Sequence, residues 1–255
     1  MNNMDKVTAF AFDLDGTLYY GNRAVEGAVK IVASIIKTGY QVFYFTNNSA
    51  KTKTSVVEKL SGLGFNSTIT NTYTASYACA RYLLENNIQS VYVIGSSELI
   101  NDFEFLGIDV VNAEKASSVV VALDFSFSYE KITGALQAIE NGAKLIVANI
   151  DASFPNDNRI LFPGCGAMVG AIIGATGHEP DFIVGKPNTY MLELLCKDWT
   201  LNPSEICVIG DSLESDIEMA NRFHCNSILF DDFDRYPNYT AKRIKSYIEL
   251  TYLLQ

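Results

Sequence analysis

Short runs of apolar residues alternate with segments of helical periodicity along most of this chain. The apolar runs occupy residues 7–12, 41–45, 91–94, 119–123, 145–148, 206–209 and 227–230. Between them, apolar side chains recur three and four positions apart, which predicts amphipathic helices. These helices cover residues 27–36, 56–63, 75–84, 129–139, 191–196, 217–223 and 241–250. Continuous apolar strands joined by helices form parallel sheets with both faces covered, so the sequence predicts an α/β fold.

Composition and charge narrow the class of protein further. The chain has 255 residues, of which 48% are hydrophobic, and its formal net charge is -10. An acidic chain offers no basic surface for a phosphate backbone, so we expect no nucleic-acid partner. The five cysteines are widely spaced and form no C-x-x-C pair, which is typical of reduced thiols. The N-terminal segment reaches acidic residues too early for a signal peptide, and we expect a cytoplasmic protein.

One uncharged segment, residues 160–177, carries Gly166, Gly170 and Gly174 at the spacing of membrane helix dimers. Pro163 and Gly164 interrupt its start, which leaves an apolar stretch of about a dozen residues. That length indicates a buried helix of a soluble domain, and we expect no membrane partner.

Polar motifs lie next to the predicted strands and helices. Three follow strands: Asp13-Leu-Asp15-Gly16-Thr17, Thr46-Asn47-Asn48-Ser49, and Gly210-Asp211-Ser212 with Asp216 further on. The fourth, Gly185-Lys186-Pro187-Asn188, precedes a predicted helix. Because parallel sheets bind ligands at the carboxyl ends of their strands, these motifs are the candidate functional residues.

The acidic members of these motifs predict a divalent metal site. Asp13, Asp15 and Asp211 at two strand ends, with Asp216 close behind, would repel one another unless a cation lay among them. Oxygen ligands favour Mg²⁺, which keeps open positions for water or phosphate oxygens. Donors suited to a phosphate group come from Thr46, Asn47, Asn48 and Lys186. The predicted substrate is a small phosphorylated metabolite.

The D-x-D-G spacing indicates how the two aspartates share the work. Asp13, at the strand end, can attack phosphorus as a carboxylate nucleophile. Asp15 follows a turn that Gly16 permits, and from there it can protonate the leaving group and later deprotonate the attacking water.

Together the four motifs resemble those of the haloacid dehalogenase (HAD) superfamily of phosphatases. Further matches resemble its NagD-like, 4-nitrophenylphosphatase-like branch, subclass IIA: Val147-Ala-Asn149-Ile-Asp151, Phe154-Pro155, Phe162-Pro-Gly-Cys-Gly166, Ala175-Thr-Gly177 and Pro180. The resemblance implies a Rossmann-like core, residues 1–71 and 178–255, interrupted by an inserted α/β cap domain, residues 72–177, that closes over the site.

The resemblance also implies roles for single residues. Mg²⁺ would be held by Asp13, the Asp15 backbone carbonyl and Asp211, supported by Asp216. Thr46 and Asn47 would bind phosphate, and Lys186 would steady both the nucleophile and the phosphate. Dimerisation through the cap is a further expectation of this branch.

Three departures leave the substrate open. Asn149-Ile150-Asp151 replaces the common Asn-Pro-Asp, residues 230–234 replace a Thr-Gly turn, and Ser212 replaces Arg or Asn. Candidate contacts to the leaving group are Asn149, Asp151, Asn158 and Arg159, although loop polarity alone explains them equally well.

Other classes of protein fit less well. A glycine-rich segment, Gly164-Cys-Gly166 to Gly170, suggests a dinucleotide site, but Val169 occupies the position of the third glycine. A non-catalytic phosphate- or metal-binding module has no need of Asp15. A phosphomutase or phosphotransferase of the same superfamily stays an alternative that product analysis distinguishes.

Overall fold

The structure is a computed structural model that describes residues 4–155 and 160–253, which form two compact units. The first unit comprises the described residues up to Thr46, Val56–Tyr73, and those from Lys186 onward. The second comprises the described residues of Asn47–Ser55 and Thr74–Gly185. The strands are β1 (Ala9–Asp13), β2 (Tyr19–Tyr20), β3 (Arg23–Ala24), β4 (Gln41–Thr46), β5 (Thr72–Thr74), β6 (Ser90–Ile94), β7 (Asp109–Val110), β8 (Ser118–Val121), β9 (Lys144–Val147), β10 (Ser153–Pro155), β11 (Leu161–Pro163), β12 (Phe182–Ile183), β13 (Ile206–Gly210), β14 (Asn226–Phe230) and β15 (Arg243–Ile244). The α-helices are α1 (Ala28–Lys37), α2 (Lys53–Gly62), α3 (Ala75–Glu85), α4 (Ser97–Phe105), α5 (Tyr129–Glu140), α6 (Cys165–Thr176), α7 (Tyr190–Trp199), α8 (Glu218–Arg222) and α9 (Tyr247–Leu253).

A six-stranded sheet with the order β15-β14-β13-β1-β4-β5 organises the first unit. β1 pairs in parallel with β13 on one side and with β4 on the other. All residues of β1 and β13 are buried, as expected for the centre of a sheet covered on both faces. Phe10, Phe12 and Ile209 contribute to the apolar core of this unit.

A second, five-stranded sheet with the order β12-β9-β8-β6-β7 organises the second unit. Its strands pair in parallel throughout. The core includes Val119 and Leu145 from the sheet and Ile172 from α6. Both units are therefore parallel sheets with flanking helices, which confirms the predicted α/β fold.

Each of the seven predicted strands corresponds to a strand of the structure. The uncharged segment forms α6, a helix of 12 residues, so the predicted helix is confirmed. The helix is only partly buried, because Met168 and Ile172 lie in the core whereas Gly170 and Gly174 are exposed. Within the described part of the chain, no helix has the length and apolar character needed to cross a membrane.

The predicted helix over 241–250 is wrong in its first half. Arg243–Ile244 instead forms β15, which pairs in parallel with β14, and α9 begins only at Tyr247. Backbone hydrogen bonds from Leu229 to Lys242 and from Asp231 to Ile244 hold this segment in the sheet. Pairing with the exposed edge of β14 therefore outweighs helical periodicity here. The sequence also did not predict α4.

The two units divide the chain differently from the predicted domain boundaries at three segments. Thr72 and Tyr73 belong to the first unit. Residues 47–55 and 178–185 belong to the second unit. Residues 178–185 belong to this unit because β12 pairs with β9 and the Phe182 ring stacks on Tyr82 at 4.0 Å between centroids. Residues 47–55 are joined to it through Ser49, whose Oγ accepts a hydrogen bond from the Leu123 backbone at 3.0 Å.

Adjacent leucines of α3 provide a test of the second unit's core. Leu83 is fully buried, whereas Leu84 is 42% exposed. We expect Leu83→Ala to lower the free energy of unfolding by about 2–5 kcal/mol, because it leaves a cavity. Leu84→Ala should lower it by less than about 1 kcal/mol. Urea unfolding followed by circular dichroism measures both, and equal losses would contradict this packing.

Candidate active site

Four of the predicted site residues lie together in the first unit: Asp13, Asp211, Asp216 and Lys186. Asp13 ends β1, and Asp211 directly follows β13, the strand paired with β1. Asp216 lies in a wide helical turn, Leu213–Ile217, just beyond. Asp13, Asp211 and Asp216 each offer a carboxylate oxygen, and these oxygens lie within 4.8 Å of one another. The parallel register of two strands thus gathers acids that are far apart in sequence.

The buried ammonium group of Lys186 links two of these carboxylates. Lys186 is 3% exposed, and its Nζ forms ion pairs with Asp13 Oδ1 and, at 2.6 Å, with Asp216 Oδ1. The second oxygen of Asp216 accepts a hydrogen bond from the Ser212 backbone at 3.1 Å. Lys186 is therefore held between two carboxylates, and Asp216 is held between Lys186 and the Ser212 backbone. The ion pair with Lys186 also restricts the position of Asp13.

Two glycines make room for the acids. Gly16 has a φ of +90°, and a Cβ there would lie 2.5 Å from Asp211 Oδ2. A Cβ on Gly210 would lie 2.2 Å from the carboxyl carbon of Asp216. Any larger residue at either position would displace a carboxylate of the cluster.

Burial and crowding shift the protonation of the acids. Burial raises the pKa of Asp13 well above its ordinary value; Lys186 opposes this rise, and Asp216 and Asp211 add to it. Burial, followed by the charge of Asp216, raises the pKa of Asp211 to about 6. Burial alone lowers the pKa of Lys186, but the charges of Asp13 and Asp216 raise it overall, so this lysine stays protonated. The cluster thus favours an added cation, which would stabilise its ionised form.

Two hydroxyl groups near Asp15, those of Thr17 and Tyr19, contact the aspartates of the motif, although no role was predicted for either from the sequence. The Asp15 side chain is exposed, and its Oδ2 accepts a hydrogen bond from Tyr19 Oη at 3.0 Å. Thr17 is fully buried, and its Oγ1 lies 3.1 Å from Asp13 Oδ2 and 3.4 Å from Asp211 Oδ1. Their positions within the D-x-D-G-T-x-Y stretch are the sequence signal that could have identified them.

Arg235 is a further contact that the sequence analysis missed. Its guanidinium donates to the backbone carbonyl and to Oδ2 of Asp211, each at 2.8 Å. No motif predicts this pair, because the residues are 24 positions apart and meet only through the loop after β14.

The other predicted binding residues are divided between the two units. Thr46 is buried at the end of β4 in the first unit. In the second unit, Asn47 Nδ2 donates to Asp151 Oδ1 at 3.0 Å, and Asn149 Nδ2 donates to the Asn47 carbonyl at 2.7 Å. Asn48 Oδ1 accepts from the backbone of residues 50 and 51, which shapes the loop before α2. Asn158 and Arg159 lie outside the described residues.

Comparisons with known proteins identify the family of this chain. A family model described as haloacid dehalogenase-like hydrolase matches residues 10–109, and a related HAD-like model matches residues 183–232. The acid sugar phosphatase of Staphylococcus epidermidis is 34% identical over 215 residues, which cover 84% of this chain and 82% of that protein.

Two solved structures have the same fold. The 4-nitrophenylphosphatase of Thermotoga maritima superposes with a TM-score of 0.90 at 25% identity, covering 99% of both chains. A glycerol phosphate phosphatase of Mycobacterium tuberculosis, solved in complex with calcium, superposes with a TM-score of 0.80 at 27% identity. The match covers 89% of this chain and 66% of that one. On these grounds the chain belongs to the HAD-like hydrolase family, as a phosphatase similar to acid sugar phosphatases and 4-nitrophenylphosphatases.

Proposed function

We propose that this phosphatase hydrolyses phosphomonoesters of small metabolites in a Mg²⁺-dependent reaction that passes through a phosphorylated Asp13. The observation that carries the proposal is the position of Asp13, held by a buried lysine beside Asp211 and Asp216 at the carboxyl end of the central strand. A carboxylate fixed in this way is suited to attack an electrophilic phosphorus atom.

The chemistry of the acidic cluster fits a magnesium ion. Asp13 and Asp211 would hold it together with the Asp15 backbone carbonyl, and Asp216 would support them. All of these donors are oxygen atoms, which hard divalent cations prefer. When bound, Mg²⁺ would neutralise charge on the phosphoryl oxygens of the substrate.

In the first step, an Asp13 oxygen forms a bond to phosphorus while the bond from phosphorus to the leaving oxygen breaks. Asp15 donates a proton to that leaving oxygen. In the second step, a water molecule attacks the phosphoryl group and passes a proton to Asp15, and the bond from phosphorus to Asp13 breaks. Lys186 holds Asp13 in place through both steps, and its positive charge stabilises the charge that develops on the phosphoryl group.

The substrate class is proposed from chemistry and from relatives. Thr46, Asn47, Asn48 and Lys186 would supply the donors for a phosphate group. The named relatives act on sugar, glycerol and nitrophenyl phosphates, which favours a small phosphorylated metabolite. Asn149 and Asp151 stay candidates for contacts to the leaving group. A cytoplasmic location and a homodimer through the inserted domain likewise stay predictions.

Removal of divalent cations tests the metal requirement. We expect chelator to abolish phosphate release from 4-nitrophenyl phosphate and added Mg²⁺ to restore it, because the crowded carboxylates repel an anionic substrate. Chelator that has been saturated with Mg²⁺ beforehand is the control and should have no effect. Full activity in excess free chelator would contradict the metal assignment.

The variant Asp13→Asn tests the nucleophile. It keeps the shape of the side chain but removes the attacking oxygen's charge, so turnover should fall by about three orders of magnitude or more. Circular dichroism should show an unchanged fold. Asp109→Asn changes an exposed aspartate of the second unit and should keep normal turnover. Near-normal turnover in Asp13→Asn would mean that another group attacks phosphorus.

A further inference from the structure

The loop that follows β14 replaces the Thr-Gly turn expected from the branch. It places a positively charged side chain next to the acidic cluster. Arg235 belongs to this loop, and its guanidinium contacts Asp211 at two points, the backbone carbonyl and Oδ2, each at 2.8 Å. Lys186 pairs with Asp13 and Asp216. Each of the three carboxylates thus has a cationic partner, and Arg235 is the partner of Asp211.

Asp231, which is fully buried, fixes the backbone of the loop at Arg235. Asp231 Oδ1 accepts from the Arg235 backbone at 2.8 Å, and its Oδ2 accepts from the Tyr236 backbone at 3.0 Å. Arg243 offsets the charge of Asp231, with a distance of 3.1 Å from Nη1 to Oδ2. The hydroxyl of Tyr20 donates to Asp232 at 2.9 Å, which anchors the next position of the loop. The Arg235 backbone is therefore held independently of the contact that its side chain makes.

Arg235 changes the charge that an incoming ion meets. Asp13, Asp211 and Asp216 contribute three negative charges when ionised, and Lys186 and Arg235 contribute two positive ones. A divalent cation would turn this set from a net charge of about -1 to about +1, which favours a phosphate dianion. Without Arg235, the same set would change from about -2 to about zero.

We propose that Arg235 is a charge-balancing residue that weakens the binding of the divalent cation and strengthens the binding of phosphate once the cation is present. This inference rests on the proposed function, because it takes Asp211 as a cation ligand. A positive charge beside a ligand oxygen repels the incoming cation and attracts the anion that follows it. The two affinities therefore change in opposite directions when the charge is removed.

The test is isothermal titration calorimetry of the full chain with two probes and no substrate. The probes are Mg²⁺ alone and inorganic phosphate in saturating Mg²⁺. In Arg235→Met we expect Mg²⁺ to bind about three- to tenfold more tightly and phosphate to bind about three- to tenfold more weakly, since the guanidinium is partly screened by solvent. A merely structural role would weaken both, and that result would overturn the proposal, as would two unchanged affinities.

Two further variants separate charge from shape. Arg235→Lys keeps the charge, so both affinities should stay within about twofold of the wild type; behaviour like that of Arg235→Met would overturn the proposal. Arg222→Met removes the same charge from an exposed pair with Glu218, and it should change neither affinity. If the wild-type protein itself bound no Mg²⁺, the metal assignment in the proposed function would fail. If the wild-type protein bound Mg²⁺ but Arg235→Met bound Mg²⁺ and phosphate as well as the wild type, only the role proposed for Arg235 would fail.

Discussion

The ion pairs of one buried ammonium group are the interaction on which the site depends. Lys186 lies almost entirely out of water between Asp13 and Asp216. A buried charge is stable only when it is paired and hydrogen-bonded, and breaking such a pair is strongly destabilising. The lysine needs both aspartates, and the aspartates, which repel each other, need the lysine. The arrangement therefore holds Asp13 in one position before any substrate arrives.

The fold meets this requirement through backbone geometry. Parallel pairing of β1 with β13 brings the ends of two strands to one edge of the sheet, where Asp13 and Asp211 emerge side by side. Gly16 and Gly210 leave the space that the carboxylates of Asp211 and Asp216 occupy. Burial at this edge raises the pKa values of Asp13 and Asp211, which makes a bound cation the natural partner of the cluster. Packing, hydrogen bonding and electrostatics thus favour the same chemistry.

Much of this arrangement could be predicted from the sequence, because parallel strands end at a common edge and the polar residues after them must meet there. Asp13, Asp211 and Asp216 were predicted in this way, whereas Lys186 was predicted from a motif that precedes a helix. Arg235 could not be, since its contact with Asp211 depends on a loop shaped by the buried Asp231. The prediction of a helix from residue 241 was wrong for a similar reason. Arg243–Ile244 has helical periodicity in the sequence but pairs with β14 in the fold. Local patterns therefore predicted the elements and the motifs, while contacts that depend on tertiary pairing did not follow from them.

The central claim is that Asp13 becomes phosphorylated and that Asp15 serves as its acid and base. Intact-protein mass spectrometry of Asp15→Asn, quenched rapidly during reaction with an aryl phosphate and Mg²⁺, tests it most directly. An aryl leaving group departs with little protonation, but hydrolysis of the acyl phosphate needs the missing base. The account predicts that one phosphoryl group accumulates and maps to Asp13. If this variant is folded, binds Mg²⁺ and still hydrolyses the aryl phosphate with no adduct at any time point, the covalent mechanism is wrong and water attacks phosphorus directly.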